Sequence, residues 1–167
     1  ESADYTEYNQ QAHAEVMKNL AEKYDAEVVL LSATTTGKDL GPRLAAKLDV
    51  SLAPDCTDLQ VEGGKLIAIR PVYAGKTFVK VAFNSKPAVA SLRPKVFEYV
   101  ENPKDSAVEN VNPEIAAPAA KITSVETKET GGVDLTEADI IVTGGRGVKG
   151  PEGFDLIKQL ADALNGV

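Results

Sequence analysis

The chain has 167 residues, 43% of them apolar and 26% charged, a composition typical of a soluble globular protein and too apolar for a disordered one. Its net charge of −7 argues against nucleic-acid binding, which depends on a basic face, and against binding to an anionic membrane surface. The single cysteine, Cys56, excludes an internal disulfide and favours a reducing compartment, and no apolar stretch approaches the ~20 residues of a membrane-spanning helix.

The first third of the chain alternates between helix and strand patterns. Apolar side chains at helical spacing predict an amphipathic helix from about residue 8 to residue 24. The apolar run 27–32 predicts a parallel strand buried on both faces. A loop at 33–38 then leads into a helix predicted from about residue 39 to residue 48, with Pro42 in its first turn.

The middle of the chain contains extended segments. Residues 65–73 and 76–83 predict a hairpin, and 86–92 predicts another buried strand. From about residue 102 to residue 120, three prolines among Asn, Glu and Ala indicate a linker or a surface crossing. The alternating pattern of 121–130 predicts an edge strand.

The segment near the carboxyl end is the most informative about function. An apolar run that predicts a strand, 138–143, is followed by a glycine-rich loop with Arg146 and Lys149 and then by a helix that begins near Phe154. Glycines let a backbone approach a ligand, and both cations and the N–H groups of a helix start attract negative charge. This order of elements indicates a site for an anionic ligand. A tight turn with a solvated arginine is the alternative, since the spacing matches no standard nucleotide motif.

A second glycine-containing loop, Thr34–Lys38, also follows a predicted strand, where ligands of parallel sheets usually bind. It lacks the upstream glycine of a P-loop, and Asp39 stands where a Ser or Thr would meet Mg²⁺. A helix cap is therefore the preferred interpretation of this loop.

No residues predict a catalytic or metal site. His13 has no Cys, Asp or His partner at ligand spacing. Cys56 lies beside Asp55 and Asp58, whose charges would raise the pKa of its thiol and make it a poor nucleophile.

Four segments, in the same order, closely resemble the α subunit of electron-transfer flavoproteins. They are ATTTGKDLGPRLAAKL (33–48), RPVYAGK (70–76), SLRP (91–94) and DLTEADIIVTGGRG (134–147). The resemblance continues through PEGF (151–154), where the family often has Asn at the position of Gly153, and it covers essentially the whole chain.

The resemblance implies an α/β fold with two parts. Residues 1–133 would form a Rossmann-like, universal-stress-protein-like domain of three layers, α/β/α, with a largely parallel sheet, incomplete at its start. Residues 134–167 would supply the opening strand, loop and helix of a FAD-binding domain. We expect apolar side chains of the 154–164 helix to be exposed, where a second copy of the chain would cover them or the helix would be mobile.

The resemblance also implies an electron carrier rather than an enzyme. The family pairs this subunit with a β subunit and one FAD, and carries electrons from flavin dehydrogenases, such as the acyl-CoA dehydrogenases of fatty acid oxidation, to a quinone oxidoreductase or a similar acceptor. The implied compartment is the bacterial cytoplasm or the mitochondrial matrix.

Of the family's FAD contacts, the arginine of the Gly-Gly-Arg-Gly loop falls on Arg146, between Gly145 and Gly147. Three other segments that line the flavin in the family are absent, so we expect the chain by itself not to retain FAD.

Two other functions fit the same sequence. One is a small regulatory module of the universal-stress-protein type that binds AMP or ATP through Thr34–Lys38. The other is a structural interaction domain that docks through the hairpin at 65–83. Adenine-nucleotide binding would separate the first of these from the flavoprotein interpretation.

Overall fold

The structure is a computed structural model, and it describes residues 7–111, 115, 119–120, 122–126, 135 and 138–167. The chain forms two compact units, residues 1–123 and 124–167. The predicted boundary between residues 133 and 134 lies outside the described residues, and the division at that point stays a prediction.

The described part of the first unit contains two helices and six strands. They are α1 (Gln10–Lys23), β1 (Val28–Ser32), α2 (Thr35–Lys47), β2 (Leu52–Cys56), β3 (Asp58–Glu62), β4 (Lys65–Val72), β5 (Thr77–Ala82) and β6 (Ala88–Leu92). The two predicted helices, the hairpin of β4 and β5 and the strand β6 are confirmed. Strands β2 and β3 were not predicted.

β1, β6 and β2 form a parallel sheet in that order, so β6 is its central strand. α1 and α2 pack together against one face of this sheet, around the fully buried Leu44 of α2 and Val89 of β6. The α/β class and the parallel sheet are confirmed, and the arrangement agrees with a Rossmann-like fold.

The other face of the parallel sheet packs against an antiparallel sheet of β3, β4 and β5. Small side chains at the contact, Ala53, Ala68 and Ala90, let the two sheets approach closely and are buried. In the described residues this second sheet occupies the place where the α/β/α prediction put a second layer of helices.

The prediction that β1 is buried on both faces was wrong. β1 lies at an edge of the parallel sheet, and Val28 and Leu30 are 41% and 47% exposed. Leu31, which points to the opposite face, packs into the cluster with α1 and α2 and is buried. Only the face of β1 under the helices is therefore covered.

α2 begins earlier than the sequence predicted, because the expected loop at 33–38 supplies its cap and first turn. Thr34 is the N-cap residue, and its hydroxyl accepts a hydrogen bond from the Gly37 backbone N–H at 3.3 Å. Pro42 consequently lies inside the helix and not in its first turn, so that prediction was also wrong.

The described residues of the predicted linker contact both ends of α1. Residues 102–111 form neither helix nor strand and are exposed. Glu109 accepts hydrogen bonds from Lys23 and Tyr24 at the end of α1, and the Ala119 N–H donates to Gln11 at its start. The described part of the edge strand predicted over 121–130, residues 122–126, is not a strand; the rest of it lies outside the described residues.

The described part of the second unit contains two short 3-10 turns, Arg146–Val148 and Pro151–Gly153, followed by α3 (Phe154–Ala163). The predicted helix is confirmed. The predicted strand at 138–143 is not formed. Ile140 and Val142 pair with the single residue Val167, through Val142 N–H to Val167 O and Val167 N–H to Ile140 O. One paired residue is too short a partner for a strand ladder.

Candidate functional site

The glycine-rich loop lies between the extended residues 138–143 and α3, and its glycines have two different roles. A Cβ on Gly144 would meet Ile157, Val148 and Phe154 at 3.1–3.3 Å, so this side of the loop packs under α3. A Cβ on Gly145 or Gly147 would meet no atom within 4 Å. The loop therefore has one packed side and one open side.

Arg146 begins the first 3-10 turn, with Gly145 as its N-cap residue. The arginine is exposed, and its guanidinium has no hydrogen-bond or ion-pair partner among the described residues. Lys149, also exposed, ends the turn with a left-handed backbone (φ 67°). Arg146 and Lys149 thus give the surface of this loop two exposed cations.

The start of α3 is held against this loop. A Cβ on Gly153 would lie 2.1 Å from the Val148 carbonyl oxygen, so only glycine permits this approach of the helix start to the turn. No side chain caps the N-terminus of α3. The residues present fit a large, electron-rich group such as FAD, because the open side of the loop has room and its cations have no other partner in the described structure.

The Thr34–Lys38 segment is a helix cap, as preferred from the sequence. A Cβ on Gly37 would lie 1.8 Å from the Ser32 carbonyl oxygen, so the turn is pressed against the end of β1. Gly37 itself is buried. That contact leaves no room for a phosphate between the turn and the strand.

A second group of charged residues lies at the carboxyl end of the parallel sheet, and the sequence analysis did not find it. Arg93 follows β6 and donates two hydrogen bonds to Asp55, from Nε to Oδ1 at 3.1 Å and from Nη2 to Oδ2 at 2.6 Å. This guanidinium holds the pKa of the Asp55 carboxyl below its usual range. Arg70, on β4, donates from Nε to the Pro54 carbonyl at 2.7 Å. The sequence feature that could have pointed to this group is the Arg-Pro dipeptide that occurs twice, at 70–71 and at 93–94.

Cys56 and His13 both contact backbone carbonyl oxygens of nearby residues. Cys56 is fully buried and its thiol contacts the Ala53 carbonyl at 3.2 Å, and burial raises the pKa of the thiol. The Nδ1 atom of His13 lies 2.8 Å from the Asn9 carbonyl oxygen. The described residues contain no group of three side chains that could hold a metal ion, and no described helix has the length and apolarity needed to cross a bilayer.

Comparison with known protein families covers both units. The model of the electron transfer flavoprotein domain matches residues 1–129, and that of the electron transfer flavoprotein FAD-binding domain matches residues 134–167. The chain belongs to the electron-transfer flavoprotein family. The resemblance identified from the sequence motifs is confirmed.

Similar proteins include α subunits of this family. The electron transfer flavoprotein subunit alpha of Thermoanaerobacterium thermosaccharolyticum is 38% identical over 166 residues, which cover 96% of this chain and 50% of that protein. The corresponding subunit of Bacillus subtilis is 36% identical over 94% of this chain and 49% of its own length. The chain thus spans about half the length of these relatives.

Another similar protein is named as a subunit of a dehydrogenase. The LctC subunit of the lactate dehydrogenase (NAD(+),ferredoxin) of Acetobacterium woodii is 34% identical over 157 residues, 91% of this chain and 38% of that protein. None of these comparisons favours the alternative function, a regulatory module that binds AMP or ATP through Thr34–Lys38.

Proposed function

We propose that the protein carries electrons by way of FAD, as an α subunit of an electron-transfer flavoprotein paired with a β subunit. The observation that carries this proposal is the match of residues 134–167 to the family's FAD-binding domain. That segment contains the exposed Arg146 on the open side of its glycine-rich loop.

The proposed donors are flavin dehydrogenases such as acyl-CoA dehydrogenases, and the proposed acceptor is a quinone oxidoreductase or a similar protein. The named function of the relatives as electron transfer flavoprotein subunits supports a carrier role rather than a substrate-transforming one. We place the protein in the bacterial cytoplasm or, in a eukaryote, the mitochondrial matrix, in agreement with its single cysteine.

FAD, when bound, would supply the redox chemistry, and the protein would set its potential and its access to partners. Arg146 would hold the flavin by charge attraction, with Gly145 and Gly147 leaving room for its approach. A positive charge at contact distance favours the form of the cofactor that carries more negative charge. The attraction between two unit charges at contact distance is about 1 kcal/mol at the dielectric constant of water and about 4 kcal/mol at that of a protein surface. For a two-electron couple this range corresponds to a change in midpoint potential of roughly 20 to 90 mV.

The test replaces Arg146 with Ala in the complete α subunit assembled with its β partner. We expect weaker FAD retention after gel filtration, or a midpoint potential lower by roughly 20 to 90 mV, because the charge that favours the reduced flavin is lost. Arg146→Lys keeps the charge and should recover most of the potential.

Lys158→Ala is the matched control, since it removes an exposed cation of α3 that lies outside the glycine-rich loop. Its effect on FAD retention and potential should be clearly smaller than that of Arg146→Ala. Unchanged retention together with an unchanged potential in Arg146→Ala would contradict the assignment.

A further inference from the structure

The carboxyl end of the parallel sheet carries a rigid pair of charged side chains. Asp55 has a left-handed backbone (φ 57°), and its N–H donates to the Ser91 hydroxyl at 2.9 Å. Ser91, on the central strand β6, is 1% exposed. With both carboxylate oxygens bound to Arg93, Asp55 fixes that guanidinium in one orientation. The Asp55–Arg93 pair is therefore preorganised.

A second guanidinium lies at the same place with most of its donors unused. Arg70 uses Nε to donate to the neutral Pro54 carbonyl, which connects β4 to β2. Its terminal Nη atoms have no hydrogen-bond partner among the described residues, and no described side-chain nitrogen is both buried and unsatisfied. The Nη donors of Arg70 are therefore accessible from solvent.

Positive charge exceeds negative charge around Asp55. Arg93, Lys38 and Arg70 all lower the pKa of its carboxyl, Arg93 chiefly through its hydrogen bonds and the other two through their charge. Three cations thus act on one carboxylate in a chain whose net charge is −7. Such a local reversal of charge favours an anionic ligand.

Asp55, Arg70 and Arg93, but not Lys38, line a cavity of about 500 Å³, within the size range of small-molecule sites. Asp55, Arg70 and Arg93 form one part of its wall, and the β4–β5 turn, residues 73–75, forms another. All three turn residues have a left-handed backbone, with φ between 51° and 84°. The cavity lies at the carboxyl edge of the parallel strands, where ligands of α/β sheets usually bind.

We propose that this cavity binds the phosphate group of a small soluble molecule between Arg70 and Arg93. Guanidinium groups bind phosphate through parallel N–H donors, and a dianion makes fuller use of two cations than a carboxylate does. A purely structural role accounts for Arg93 and for the Nε of Arg70. A structural role does not account for the open cavity or for the excess of positive charge beside it. It also leaves the accessible Nη donors of Arg70 without a function.

The test is a titration of the purified chain with inorganic phosphate, followed by NMR of the backbone amides and by calorimetry, with acetate as the comparison anion. We expect saturable binding with a Kd of about 1 mM and weaker binding of acetate. The amides of Asp55, Arg93 and residues 73–75 should shift together. No saturable binding, equal binding of acetate, or shifts confined to the Arg146–Gly150 loop would overturn the proposal.

Arg70→Ala should weaken phosphate binding by roughly tenfold or more, because a charged hydrogen-bond donor is lost. Arg43→Ala is the matched control, since it removes an exposed arginine of α2 that pairs with Asp39, and it should leave the Kd unchanged. Arg70→Lys keeps the charge without the fork and should bind with an intermediate Kd, which keeps the test decisive if Arg70→Ala does not fold. Equal effects of the Arg70 and Arg43 substitutions would contradict the site.

Discussion

Gly37 marks the closest approach between α2 and the strand that precedes it. The hydrogen that stands in place of its side chain points at the Ser32 carbonyl oxygen, and a Cβ there would be 1.8 Å from that atom. Real Cβ atoms do not approach a backbone oxygen so closely, so a side chain would force the first turn of α2 away from β1. A residue that first suggests a phosphate-binding loop therefore has a packing role.

Gly37→Ala should destabilise the first unit by about 2 kcal/mol or more, because the clash is with backbone and no flexible side chain can move aside. Chemical denaturation followed by circular dichroism measures the change. Thr36→Ala in the same turn of the helix is the control: Thr36 is exposed, so its truncation should change stability by less than about 0.5 kcal/mol. Similar losses in both variants would show that the clash at Gly37 is relieved.

Functional residues could be predicted from the sequence when they are neighbours in the chain. They could not be predicted when they are far apart in the chain. Arg146, Gly145 and Gly147 lie in one loop, so their pattern could be recognised directly. Asp55 and Arg93 are 38 residues apart, and Arg70 meets Pro54 across 16. The pairing of strands brings these residues together, and single-sequence patterns do not show it.

Among the elements, α2 contributes most of the buried contact between the helices and the parallel sheet. Leu44 is fully buried and packs with Ala14 of α1, Leu31 of β1 and Val89 of β6. Leu40, Leu44 and Leu48, which repeat at helical spacing, all pack into this cluster.

Leu44→Ala should lower the free energy of unfolding by about 2 to 5 kcal/mol, the usual cost of a cavity left by a buried leucine. Leu30→Ala provides the control in β1, because Leu30 is 47% exposed and its truncation should cost less than about 1 kcal/mol. Urea denaturation of both variants decides the comparison. A loss for Leu44→Ala no larger than that for Leu30→Ala would mean that the packing of α2 contributes little.

The two unpredicted strands show where element prediction reaches its limit. β2 reads Leu-Ala-Pro-Asp-Cys, and both Pro54 and Asp55 oppose a strand by local propensity. β2 lies at an edge of its sheet with an irregular register after Ala53, and an edge tolerates a proline. The sequence also predicted a strand at 138–143 that the structure does not contain. The apolar run is present, but the described residues of the second unit include no strand with which it could pair.

For the molecule as a whole, the distribution of exposed apolar surface distinguishes the second unit. On and next to α3, Phe154, Leu156, Leu160 and Leu164 are 41%, 71%, 50% and 45% exposed, whereas Ala161 is buried. The expected exposure of apolar side chains on this helix is therefore confirmed. Contiguous exposed apolar surface of this kind favours association or binding of apolar molecules.

Leu156→Glu combined with Leu160→Glu should reduce the fluorescence of the apolar dye ANS bound to the chain and reduce any self-association, because both side chains project into solvent. Folding stability should change by less than about 2 kcal/mol, because both leucines are at least half exposed. Gln159→Glu adds charge to the same helix without removing apolar surface, so its dye fluorescence should stay near that of the unchanged chain. If Gln159→Glu lowers the fluorescence as much as the leucine substitutions do, charge and not the apolar face is responsible.

The sequence by itself determined the α/β class, the two helices and the hairpin of the first unit, the family, and the loop that carries Arg146, because each depends on local spacing or on contiguous motifs. Only the tertiary structure decided which strands pair, which face of β1 is covered, and that an antiparallel sheet packs on the parallel one. It also decided that Asp55, Arg70 and Arg93 meet beside one cavity. These features depend on contacts between residues far apart in the chain, and such contacts are fixed by packing and strand order rather than by any local pattern.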